Sequence, residues 1–203
     1  MARHALPQAE HEIDAGLAAM PEEASPSARF SVVAIHWVKG LLCLARGADD
    51  EAMGAFAHEL ALEPRGHLYG RECGANTWSA IGAVRLGRGD TTAACAAFKE
   101  AIARVPRHPM AHAALAIAGA RGSIGGRPGD ASPPVSMEVA IARAACLVAR
   151  GNVPGAAPLV AAALSSAPPG SAGWTIPVEP LLSIQRDRGP WMRVLAELRR
   201  RAM

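Results

Sequence analysis

The chain has 203 residues, half of them hydrophobic, 4% aromatic, with a net charge of only +3. That is enough apolar material for one domain or a short repeat array. The weak charge makes no electrostatic case for nucleic acid, and no apolar run reaches the ~18 residues of a membrane span. The four cysteines, Cys43, Cys73, Cys95 and Cys146, form no C-x-x-C pair. They are expected to be free thiols packing as small apolar groups in a reducing, cytoplasmic setting. Alanine is abundant, which favours closely packed helices. Nineteen arginines stand against two lysines, Lys39 and Lys99, at scattered positions that suit solvated surface and ion pairs.

The opening "MARHALPQAEHEIDAG" is polar and has no apolar signal core. Ala9, Ile13, Gly16 and Pro21 have the spacing of the second helix of a hairpin, so residues 1–21 read as a half-hairpin. The chain is then expected to begin inside a repeat. It would be a fragment, an array that has lost its front, or a stack capped by this helix.

Residues 27–64 read as helix, glycine turn, helix and proline. The first helix is expected over 27–46. Gly47 ends it in a left-handed conformation, and Asp49 stands where a side chain caps the next helix. Ala52, Phe56 and Leu60 then share a face, and Pro64 stops the run. Residues 66–106 repeat the phrase: a helix over 66–88, Gly89, Asp90, then Ala94, Phe98, Ala101, Ile102 and Val105 on one face, and Pro106.

A worn copy lies in 108–168, with Gly151, Asn152 and Pro168. It carries a Gly/Pro/Ser-rich insertion, 119–136, which splits an expected helix into 109–120 and 136–150. In 169–203, Trp174, Ile176 and Val178 alternate between prolines and predict an extended strap across the last hairpin. A short helix over 180–186 follows, then a closing helix over 190–201. The latter has Trp191, Val194, Leu195 and Leu198 on one face and arginines at its C-terminus, where positive charge suits the dipole.

Trp78, Ile81, Gly82, Ala94, Phe98 and Pro106 stand at the spacings W-x2-L-G-x2-Y, A-x3-F and P. Ile replaces Leu, and Arg85 stands in the Tyr slot. With these residues the chain resembles the tetratricopeptide repeat family. Gly40, Ala52, Phe56 and Pro64 give a looser copy, with His36 in the Trp slot and Trp37 beside it. The resemblance implies an all-α, right-handed α-α superhelix of antiparallel helix pairs, here with a C-terminal helical cap. The period departs from the family: Pro64 and Pro106 are 42 apart, against about 34 in the usual unit. The extra residues precede the Trp slot and predict elongated first helices.

Chemistry leaves little trace. There is no G-x-x-x-x-G-K-[ST] phosphate loop and no G-x-S-x-G elbow. His108 and His112 are four apart but lack the glutamate of H-E-x-x-H, and His67 and Cys73 are six apart. No cofactor or metal is expected. Carboxylates such as Glu59, Glu63 and Glu72 read as solvated or paired with arginine.

The resemblance places a concave groove along the first helices. Its slots are Ala34, Trp37 and Leu41 in the first copy, with Phe30 one turn back, and Asn76, Ser79 and Ala83 in the second. Tyr69, Arg71 and Glu72 join them on the added turns. Phe30, Trp37 and Leu41 equally suit plain core. The family's carboxylate-gripping Lys/Asn set is missing from these slots. The expected function is a scaffold or adaptor, without catalysis of its own, that holds a protein or peptide partner through Trp37, Tyr69, Arg71, Glu72, Asn76 and Ser79. A small-molecule sensor or enzyme using the concave pocket is the alternative reading. Self-association through the N-terminal helix is a third.

Overall fold

A computed structural model describes residues 5–19, 34–65, 69–120, 136–168 and 173–202. Among them are nine α-helices and no strand. The helices are α1 (Leu6–Ala18), α2 (Ile35–Ala45), α3 (Asp49–Leu62), α4 (Gly70–Gly87), α5 (Thr91–Arg104), α6 (Pro109–Ala120), α7 (Met137–Ala149), α8 (Val153–Ser166) and α9 (Met192–Arg201). Among the described residues no helix is long and apolar enough to cross a membrane. Phe30, His67 and the insertion over 121–135 lie outside the described residues.

Helices α2–α3, α4–α5 and α7–α8 form hairpins, each turning through a glycine with positive φ: Gly47 at 78°, Gly89 at 85° and Gly151 at 76°. The two strong copies are built alike. A Cβ on Gly40 would strike the ring of Phe56, and one on Gly82 would strike the ring of Phe98. Both rings are fully buried, as are Ala52 and Ala94. Each hairpin is thus closed by a phenylalanine seated on a glycine, a contact that stacks the two helices closely. In the worn copy Ala144 and Val160 take these places, both fully buried.

The caps are mixed. Asp90 accepts from the Ala93 amide at 2.9 Å and Asn152 from the Gly155 amide at 3.0 Å, as expected. Asp49 does not cap. It is the first residue of α3, and with Asp50 it meets Arg88 of the next turn, at 3.7 Å and 2.8 Å. The cap of α2 comes from another helix. Glu59 of α3, only 2% exposed, accepts from the Ala34 amide at 3.1 Å and the Trp37 amide at 3.3 Å. Glu59 is therefore not solvated. Its negative charge sits at the positive end of the α2 dipole and satisfies amides that the helix cannot. Glu63 does pair with arginine, bridging to Arg104 at 2.7 Å.

The elongated first helix holds for α4, which has 18 residues, and not for α2, which has 11. Ala34 has φ +67°, outside the helical region, so α2 begins at Ile35, and residues 27–33 of the expected helix lie outside the described residues.

Helices α6 and α7 lie beside each other. Pro109 and His112 share a groove with Val139, Ala142 and Arg143, and Cys146 Sγ faces the Ala113 carbonyl at 3.9 Å. Ile117 shares a second cleft with Val148 and Ala149. These pairings ascend together, so the two helices run in the same sense. Each carries its own buried stripe, Ala111, Ala114, Ile117 and Ala118 on one and Ala140, Ile141, Ala144 and Ala145 on the other. Residues of both stripes join the core shared by α4 to α9. Helices α2, α4, α6 and α7 thus form one layer, with their C-termini toward the same edge.

The C-terminal strap departs most from expectation. Residues Ile176–Val178 form a 3₁₀ turn rather than an extended segment, and 180–186 are successive turns rather than a helix. Ser183 at φ +52° breaks any helix there. The turns are held by Gln185 donating to the Pro177 carbonyl at 2.7 Å and Ser183 donating to that of Pro180 at 3.3 Å. The strap also reaches beyond the last hairpin. A Cβ on Gly173 would meet Leu164 of α8, while the Trp174 ring stands edge-on to Trp37 of α2, centroids 6.1 Å apart. Ile176, Val178, Leu182 and Ile184 are buried. Val178 joins the core of α2, α3 and α4, whereas the other three join that of α4 to α9. After the 3₁₀ turn Gly189–Trp191, α9 packs on α8, and Arg201 donates to the Leu164, Ala167 and Pro168 carbonyls at the end of α8.

Candidate functional site

The first-helix layer carries two distinct surfaces. One surrounds the N-terminal half of α4. Tyr69, at the start of that helix, is 52% exposed, and Arg71 and Glu72 are exposed beside it. Arg71 donates to the Arg104 carbonyl at 2.7 Å, closing the end of α5. Asn76 is half-buried and already engaged, its Oδ1 lying 3.0 Å from His108 Nε2. His108 Nδ1 accepts from the Ala111 amide at 3.1 Å, so Nε2 carries the proton and donates to Asn76. His108 is the cap of α6, and burial lowers its pKa. Ser79 is buried. Leu41 is core, and Trp37 is half-buried against Trp174. Of the six residues expected to bind, Tyr69, Arg71 and Glu72 are open to solvent, whereas Trp37, Asn76 and Ser79 are largely taken up by the fold.

The second surface is a cleft of about 600 Å³ between the C-terminal ends of the first helices and the strap. Leu44–Gly47, Ala83 and Val84, Ile117, and Val148 with Ala149 form its walls. Pro177 to Leu181 and Ser183 to Arg186 close it. Within it stands Glu179, half-buried, whose Oε1 accepts from the Leu181 amide at 3.3 Å. Burial pushes this carboxyl up to about 7, and the Leu181 amide opposes the shift only in part. Arg46 and Arg88 also line the cleft, but Arg46 pairs with Glu10 and Glu51, and Arg88 with Asp49 and Asp50. Helix C-termini turn the negative ends of their dipoles toward the space.

Glu179 was not singled out from the sequence. The signal was present: it is the sole charge in "IPVEPLL", where a carboxylate among apolar neighbours is forced close to a buried surface.

Cys73 and Cys146 are poor nucleophiles. Burial, then the charges of Glu59 and Glu72, push Cys73 up to about 11, and burial raises Cys146 as well. Among the described residues, no three His, Cys, Asp or Glu side chains gather as a metal ion requires. His112 Nε2 is 2.8 Å from the Pro106 carbonyl, whereas His108 is held by Asn76, so the two histidines turn to different partners. No family model matches the chain, and neither a curated protein nor a solved structure is similar to it.

Proposed function

We propose that this chain is a tetratricopeptide-like, cytoplasmic binding scaffold that holds a peptide or protein partner and performs no catalysis of its own. The observation that carries this reading is the repeated closure of α2–α3 and α4–α5 by Phe56 on Gly40 and Phe98 on Gly82. That contact joins the residues on which the family resemblance rests. Stacked pairs of this kind leave one face of the first-helix layer available to a partner. The exposed part of that face is Tyr69 with Glu72 and Arg71. An aromatic anchor beside charged groups is a common arrangement at interfaces.

The test is affinity capture with the wild-type chain and a Tyr69→Ala/Glu72→Ala variant, both side chains being exposed. A partner held by this face is lost at least tenfold in the variant, and identical prey for both proteins rejects the face. Asn76 is left intact, since its replacement would also remove a bond to the α6 cap.

A second reading, binding of a small molecule, is favoured by the cleft at Glu179. Self-association through α1 is tested by light scattering with and without residues 1–25. The inner side of α1 is occupied by α2, through Asp14 to Lys39 at 2.9 Å and Glu10 to Arg46. An unchanged mass on truncation removes this mode of assembly.

A further inference from the structure

We propose that the cleft beneath the strap binds a cationic head group, an alkylammonium or alkylguanidinium, against the carboxylate of Glu179, with its aliphatic stem lying on the ends of α4 and α7.

Four observations converge. The space, about 600 Å³, is large enough for a small amphipathic molecule or one long side chain. Its walls combine apolar groups, including Val84, Ile117 and Val148, with the polar side chains of Glu179, Ser183 and Gln185 on the strap. Among the described residues Glu179 has a single donor, the Leu181 amide, although a carboxylate offers about four acceptor positions. Glu179 forms no ion pair among the described residues: Arg46 and Arg88 are held by their own carboxylates, and Arg186, the third arginine of the lining, makes no ion pair with it. Lastly, the ends of α2, α4 and α7 present C-termini here, and their dipoles favour positive charge.

The strap is built to present this carboxylate. Glu179 stands between Val178, buried against α2 and α4, and the turns closed by Ser183 and Gln185. Ser183 holds a left-handed backbone, an arrangement that persists where the surroundings over-determine it. Among the described residues, the charged groups facing the cleft beside Glu179 are Arg46 just after α2, Asp49 at the start of α3, Arg88 just after α4 and Arg186 from the strap, with none from α6 or α7. Among the described residues, no histidine or cysteine is in its lining. With Glu179 titrating at about 7, the pH dependence of binding belongs to it: ionisation rises about tenfold from pH 6 to pH 8 while the guanidinium stays charged. The cleft lies at the opposite end of α4 from Tyr69, so this inference stands apart from the partner-binding face.

The test is an NMR titration of the intact chain with n-butylguanidine, with n-butylurea as the uncharged isostere. Saturable shifts of the Leu181 and Ser183 amides are expected, with a Kd about tenfold lower at pH 8 than at pH 6 and no comparable response to the urea. Glu179→Gln is expected to weaken binding at least tenfold and to abolish its pH dependence. Ala149→Trp, at an exposed position on the rim, is expected to block the cleft while leaving the carboxylate in place. Circular dichroism melts of both variants establish that they are folded. Absence of saturation, equal affinity for the urea, unchanged binding in Glu179→Gln, or unchanged binding in folded Ala149→Trp overturns the proposal. The peptide Ac-Gly-Arg-Gly-NH2, run beside n-butylguanidine, separates the two sources of such a group. Tighter binding of the peptide identifies a partner's side chain, and tighter binding of the free compound identifies a small molecule; either keeps the chemistry.

Discussion

Gly40 and Gly82 touch the rings of Phe56 and Phe98 at the face where a side chain would otherwise project. Gly82→Ala is accordingly expected to destabilise the chain by about 1–3 kcal/mol through overpacking, even though alanine is the better helix former. A denaturant midpoint at or above wild type would contradict that packing. Two ionisable residues make opposite pH predictions. His108 is buried with a lowered pKa, so the unfolded chain takes up its proton first. Its contribution is complete above 6.5 and is lost as pH falls below that value. His108→Asn, which keeps a capping side chain, should flatten this slope in thermal melts between pH 7 and pH 5. Glu179 has a raised folded pKa of about 7 against 4.5. Its contribution is complete below 4.5 and is lost as pH rises through 7. The Tm of Glu179→Gln relative to wild type should therefore climb between these values and level off above them. A constant offset across the range would show that the carboxyl is not shielded.

Helix ends are where local sequence and tertiary structure divide the work. Asp90 and Asn152 cap their own helices, in agreement with the pattern after each glycine. Asp90→Ala should cost about 1 kcal/mol. Gly89→Val should cost more than that, because a β-branched residue is strained at φ +85° although nothing blocks its side chain. Normal thermal stability of that variant would contradict the left-handed turn. The α2 cap could not be read locally, for Glu59 lies 25 residues from Ala34. Asp49 has the right type for a cap but stands one residue later after its glycine than Asp90 and Asn152 do, so Ala48 takes the cap position and Asp49 pairs with Arg88 from the neighbouring hairpin. A cap is chosen among all acceptors that the fold brings to an amide, and only the nearby ones are visible in sequence.

At the scale of the molecule, the strap ties the last hairpin to the first. Ile176 is fully buried among residues of α4 to α9, and Val178 two residues later is buried against α2 and α4. Ile176→Ala is expected to destabilise the protein by about 2–5 kcal/mol. It should also raise hydrogen exchange in α2 as well as in α9, because the strap spans both. Protection lost only in α9 would mean that the strap does not couple the ends.

The sequence by itself determined the helical content, the three glycine turns and the equivalence of two hairpins. All of these depend on residues close in the chain: a periodic apolar face, a residue tolerant of positive φ, and a small–large pair at fixed spacing. Only the tertiary structure decided that α6 and α7 lie side by side, that α2 is short, and that the strap crosses to α2. It likewise divided the expected site, leaving Tyr69, Arg71 and Glu72 open, engaging Trp37 and Asn76, and setting Glu179 in a cleft. These outcomes follow from which apolar surfaces remain uncovered once the hairpins have formed. That is a property of distant segments meeting, and no local pattern encodes it.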